Sequence, residues 1–233
     1  FAIPYFFKDQ IKAKIVAVIN ENVDAKVAFA EADLSLFKSF PQANVTIDKL
    51  SIINKAPFVG DTLVYFGELN LKMSIKELFE GKDEAMDIGA ITSKNGLINI
   101  IFNKDGIGNF DIALKNKEKK ESKSNPLSLK IKEYSIENYT FKYFDESSKI
   151  KMVIANLNHS GTGDFAASKL DLVTKSTAKI SLDMDKINYM NKVPLTLDAI
   201  LGIDLDQSKY TFKQNKALIN KLPLEFDGFI QLV

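Results

Sequence analysis

The sequence predicts a mainly β protein: a long, curved antiparallel sheet preceded by an amphipathic α-helix and interrupted by one or two short helical turns. Three observations carry this expectation. Apolar and polar residues alternate in run after run between Val45 and Phe226, the period-two signature of strands with one apolar face. Turn-forming pairs such as Asn95-Gly96 and Asp105-Gly106 punctuate those runs. A sustained 3.6-residue period occurs only near the amino terminus.

The helix comes first in the chain. Behind Pro4, a residue suited to a first helical turn, Phe7, Ile11, Ile15, Val18 and Ile19 fall on one stripe. Lys8, Lys12, Lys14 and Glu21 occupy its edges and back, so the helix is expected over residues 8–22. Residues 1–7 carry three Phe, one Tyr and no charge. Two readings fit them: the trailing end of a removed apolar membrane segment, or a hydrophobic staple packed on the helix that follows.

Short helical turns are expected at Leu34 to Phe40, ended by Pro41, and at Ser74 to Glu80, where Ile75, Leu78 and Phe79 share a face and Gly81 can cap. The rest reads as strand. Val45 and Ile47 are followed by Leu50 and Ile52 after a one-residue slip of phase, which implies a bulge. Leu69, Leu71 and Met73 alternate; Asn95-Gly96 and Asp105-Gly106 bracket Leu97 to Phe102 as a central strand between hairpin turns. The segment 115–126 is charged, free of apolar residues and closed by Pro126, so a surface loop is expected there.

Beyond it come Ile150, Met152 and Ile154; then Ile180, Leu182 and Met184; then Leu222, Leu224 and Phe226. Between the last two sets, Leu195, Leu197, Ala199, Leu201, Ile203 and Leu205 alternate strictly over about 35 Å at ~3.3 Å per residue, longer than the usual strand. The whole chain, 1–233, reads as one continuous antiparallel meander with an oily face that needs a cover: another sheet, the first helix, or an oily ligand.

Composition narrows the function. At 233 residues and 45% hydrophobic content, the chain can bury a substantial core. Its formal charge is +1 and every basic residue is Lys; without Arg's bidentate donors, nucleic-acid recognition is not expected. No Cys is present, which excludes disulfides, Cys-ligated zinc and thiol catalysis while leaving the redox compartment open. No run approaches the roughly 18 to 20 apolar residues that cross a bilayer.

The motif search finds no catalytic set. His159 lies beside Ser160 and ahead of Asp164, but neighbours on a strand point to opposite faces, so Ser160 is badly placed to share its proton. Gly161-Thr162-Gly163 through Ala166 fits a loose dinucleotide pattern, yet Leu170 and Leu172 resume alternation where a helix is required; a bulge or corner accounts for the glycines. Asp183 with Asp185, and Asp204 with Asp206, could ligate calcium, although solvated strand faces look the same. No cofactor or metal is expected.

Several stretches together resemble the amino-terminal region of the AsmA family, in the versions found in Bacteroidetes-type bacteria: "PYFFKDQIKAKIVAVINENVDAKVAF", "DLSLFKSFP", "PFVGDTL", "GIGNFDI", "LNHSGTGDF" and "LPLEFDGF". They run in order from Pro4 to Phe229. The resemblance implies a periplasmic body held in the bacterial inner membrane by one amino-terminal helix, of which residues 1–7 would be the last turns. It also implies kinship with TamB-like and bridge-like lipid-transfer proteins, whose sheets form a taco-shaped groove with an apolar lining.

The expected function is then non-enzymatic binding and transport of phospholipid, or another acyl-chain lipid, between inner and outer membranes in support of outer-membrane biogenesis. Candidate groove residues are Ile180, Leu182, Met184, Leu195, Leu197, Leu201, Ile203 and Leu205, with Phe7, Ile11, Ile15, Val18 and Ile19 on a membrane-proximal helix. Each groove position fits an ordinary core equally well. The rival reading is an interaction protein that modulates outer-membrane protein assembly by offering sheet edges to assembly proteins.

Overall fold

The structure, a computed structural model, describes residues 23–35, 42–74, 86–112, 127–128 and 131–231. The expected helix over 8–22, the stub at 1–7, the loop at 115–126 and most of both expected helical turns lie outside the described residues.

Thirteen strands are described: β1 (Ala25–Ala28), β2 (Glu31–Ser35), β3 (Gln42–Asn54), β4 (Thr62–Ser74), β5 (Met86–Lys94), β6 (Leu97–Phe102) and β7 (Leu127–Ser128). They continue with β8 (Glu133–Asp145), β9 (Ile150–Thr162), β10 (Lys169–Met184), β11 (Ile187–Asp204), β12 (Lys209–Ile219) and β13 (Leu222–Gln231). Among the described residues they join into one sheet, in the order β1-β3-β4-β5-β8-β9-β10-β11-β12-β13. β2 flanks β3 beside β1, and β6 bridges β4 and β8.

Four expectations need correction. The sheet is mixed, because β5 and β6 both run parallel to β8. Asn95-Gly96 does not reverse the chain: Lys94 opposes Glu68 and Leu97 opposes Tyr65 on the same strand β4, so β5 and β6 form one line with a kink. Asn95 adopts φ 55°, a left-handed conformation that serves a bulge as well as a hairpin; the flanking strands decide which. Asp105-Gly106 does turn, with the Gly106 N–H donating to the Asn103 carbonyl at 3.1 Å.

Leu34 and Ser35 close β2 rather than opening a helical turn, since Ala32 and Leu34 alternate in register with Ile47 and Val45. Leu205 falls one residue past β11, in a turn where its N–H reaches the Ser168 carbonyl at 2.8 Å.

The bulge read from Val45–Ile47 and Leu50–Ile52 is present. Lys49 sits at φ 55° between Ile47, opposite Leu69, and Leu50, opposite Phe66. The same device recurs down the chain. Asn138 (φ 55°) separates Ile136 from Tyr139, Asn156 (φ 51°) separates Ile154 from Leu157, Lys192 (φ 50°) separates Met190 from Val193, and Gln214 (φ 37°) separates Phe212 from Asn215. Each left-handed residue shifts the alternation by one, keeping the apolar side chains on one face while adding local twist.

Burial is concentrated at one edge of the sheet. Ala43, Val45, Ile47, Leu50, Leu69, Met73 and Ile88 form a core, with Phe29, Phe66 and Ile91 packed against it. Each fully buried Leu or Ile contributes roughly 1.5–3 kcal/mol relative to exposure. At the opposite edge all ten residues of β13 are exposed.

Candidate functional site

Residues directly opposite in register share a face, so the apolar face can be traced strand by strand. One row runs Val27, Ile52, Val64, Ile98, Phe141, Ile154, Ile180 and Val193, each opposite the next. Seven steps at ~4.8 Å make it about 34 Å wide. Every member is half-buried. Beside it lies a parallel row of Ile100, Tyr143, Met152, Leu182 and Met190.

The predicted residues distribute over this face as follows. Ile180 and Leu182 belong to the two rows just traced. Leu195 opposes Ala178 and Ile219, Leu197 opposes Ser176 and Ala217, Leu201 opposes Leu172 and Phe212, and Ile203 opposes Leu170 and Tyr210. Met184, opposite Ile187 at the end of the hairpin, is exposed. Leu205, in its turn, is 55% exposed and off the strand. Phe7, Ile11, Ile15, Val18 and Ile19 lie outside the described residues.

The other face is more polar, with apolar exceptions where Ile101 opposes Phe144 and Val173 opposes Ile200. A depression of about 560 Å³ there is lined chiefly by Ser135, Glu137, Asn158, Ser160, Lys175, Thr177, Thr196 and Asp198. A second, of about 530 Å³, holds the ion pairs of Lys213 with Asp171 (2.5 Å) and Lys169 with Asp204 (3.1 Å).

A polar island lies on the apolar face. His159 opposes Ile136 and Ser176; its Nδ1 lies 2.8 Å from the Ser176 hydroxyl and its Nε2 2.6 Å from the Tyr134 hydroxyl. The Tyr134 ring tilts against the imidazole at 5.3 Å and meets Phe165 edge-on at 5.9 Å. Gly161 leaves room for Tyr134: a Cβ there would lie 2.5 Å from the ring. Burial pushes the His159 pKa down and the Tyr134 pKa up, which favours the neutral form of each. In a neutral imidazole one nitrogen donates and the other accepts, so both contacts are satisfied at once.

Ser160 is on the opposite, exposed side of β9, and the Asp164 carboxylate accepts the Ala166 N–H at 3.1 Å in the next corner. The partners that His159 does have, Tyr134 and Ser176, lie 25 and 17 residues away, and no spacing rule announces them. The aspartate pairs are likewise taken up locally. Asp183 accepts from Asn188, Asp185 pairs with Lys149, Asp204 with Lys169, and Asp206 accepts from Ser168. Among the described residues no three His, Asp or Glu side chains converge as metal ligands.

Compared with known proteins, the chain matches no family model, and neither a curated protein nor a solved structure matches it.

Proposed function

We propose that this protein binds acyl-chain lipids, phospholipid foremost, along the apolar face of its sheet and passes them between the inner and outer membranes without catalysis, its body lying in the periplasm. The observation that supports this reading is the row from Val27 to Val193, apolar in eight neighbouring strands and half-buried throughout. An acyl chain laid along it gains ~0.8 kcal/mol per CH₂ removed from water, and successive positions differ little in energy, so the chain can slide. The resemblance to AsmA-type sequences points the same way.

Native mass spectrometry of gently purified protein tests the reading. Phospholipid adducts are expected on the native chain and are expected to disappear in Leu197→Asp and Leu201→Lys. Lipid-free native protein would sink the proposal.

A second reading, an interaction protein that lends a sheet edge to outer-membrane proteins in assembly, draws on β13. This edge strand is exposed along its whole length and carries Pro223, a residue tolerated only where ladder donors can be spared. Capture of a strand peptide by lipid-free protein, abolished by deleting β13, would favour it.

A further inference from the structure

The polar island on the apolar face has one hydrogen to spare. Tyr134, His159 and Ser176 carry three N–H or O–H hydrogens between them, one on each hydroxyl and one on the neutral imidazole. Their two contacts, Tyr134 to Nε2 at 2.6 Å and Ser176 to Nδ1 at 2.8 Å, use only two of the three. The count is the same in either tautomer. The hydroxyl that accepts from the imidazole N–H keeps its own hydrogen, and the other hydroxyl donates to the bare nitrogen. Among the described residues neither hydroxyl meets a further acceptor. All three side chains are half-buried, so the spare donor opens on the face instead of into a sealed core.

The surroundings limit what can accept that hydrogen. Ile136 and Leu197 continue the cross-strand row on either side of His159 and Ser176, and Leu157 and Ala178 lie beside them on β9 and β10. The charged neighbours in sequence, Glu137 and Lys175, line the depression on the opposite face. An anion at the island would be desolvated with no cation to pair it, and a plain hydrocarbon would leave the O–H unsatisfied. A neutral acceptor at the end of an apolar chain avoids both penalties. From Ser176 the same face continues through Ala178, Ile180 and Leu182, so about 20 Å of apolar surface begins at the donor, at ~3.3 Å per residue.

We infer, resting on the carriage reading, that this island is a station for the ester carbonyl of a glycerolipid. The spare hydroxyl hydrogen of Tyr134 or Ser176 donates to the carbonyl oxygen while the acyl chain lies over Ala178, Ile180 and Leu182. One point on the sliding path is thereby lower in energy than its neighbours, so a lipid halts there in a fixed register. The same contact selects acyl esters over ether-linked lipids, which lack the carbonyl.

Native mass spectrometry with two phosphatidylcholines of equal chain length, one diacyl and one dialkyl, reads this selection directly, because the headgroup is common to both. The native chain is expected to bind the diacyl lipid about three- to tenfold more tightly, as for one net hydrogen bond. In Tyr134→Phe/His159→Leu/Ser176→Ala the whole island becomes apolar with no group left unpaired, so the preference should vanish while the dialkyl lipid still binds. A second measurement needs no variant. In infrared spectra of diacyl lipid isotopically labelled at the ester carbonyl, the band should move to lower wavenumber on the native chain than in a hydrocarbon solvent. Equal affinity of the native chain for the two lipids, an unshifted band, or a preference that survives in the triple variant would overturn the inference and leave carriage standing. Uptake of neither lipid would instead sink the carriage reading, and this inference with it.

Discussion

At His159 a single imidazole bridges two hydroxyls on a mainly apolar face, and its protonation is felt by the whole fold. Burial holds its folded pKa below the ordinary 6.5, so the unfolded chain takes the proton first. Above about pH 6.5 both states are neutral and the stability is intact; as pH falls from there toward the lowered folded value, stability is lost. The melting temperature is therefore expected to decline as pH falls below about 6.5, and the slope to flatten in His159→Gln. Asp145 does not confuse that window. Hydrogen bonds from Ser148 and Ser147 lower its pKa to about 2, so its contribution is lost only as pH falls from 3.8 toward that value. A second sensitive residue is Gly96, where a Cβ would lie 2.2 Å from the ring of buried Tyr139. Gly96→Ala is expected to cost roughly 1–3 kcal/mol by overpacking. Tyr139→Phe, which removes the 2.5 Å bond to Ser93, is expected to cost about 1 kcal/mol. Urea titrations of both variants check the order.

Among the elements, β11 shows what the bulges do and why they hid part of the fold. Lys192 is left-handed, and its N–H is fixed by the Ser181 hydroxyl at 2.9 Å. Lys192→Val is expected to lower stability by about 1–3 kcal/mol, because a β-branched residue resists that conformation, while Lys192→Gly should be neutral or slightly stabilising. Equal denaturation midpoints for the two variants would contradict this account. The alternation from Leu195 to Ile203 was legible because no bulge falls within it. Upstream, the step from Met190 to Val193 breaks the period, and Lys carries no turn signal, so the start of β11 at Ile187 was hidden. Lys49 was legible only because Val45, Ile47, Leu50 and Ile52 are all strongly apolar. Asn95-Gly96 misled for a different reason: the same dipeptide suits a hairpin and a bulge, and the choice belongs to β4 and β8 on either side. Of the candidate site, the face was readable and its polar island was not, since Tyr134 and Ser176 reach His159 only through register.

Across the whole molecule, stability is expected to be graded from the buried core of β3 to β5 toward the exposed edge at β13. In hydrogen exchange, amides of Val45, Ile47 and Leu69 should be among the slowest, and those of β13 among the fastest. Uniform protection along the sheet would refute the gradient. The parallel pairing of β5 and β6 with β8 adds a further consequence. Every large strand before that seam pairs with a close neighbour in the chain, and so does every strand from β8 onward. Residues 23–102 and 133–231 can thus each zip up hairpin by hairpin, the quick kind of ordering, and only the seam must wait for both. During synthesis the first half can be complete before the second emerges, so assembly proceeds in two instalments with a single late weld.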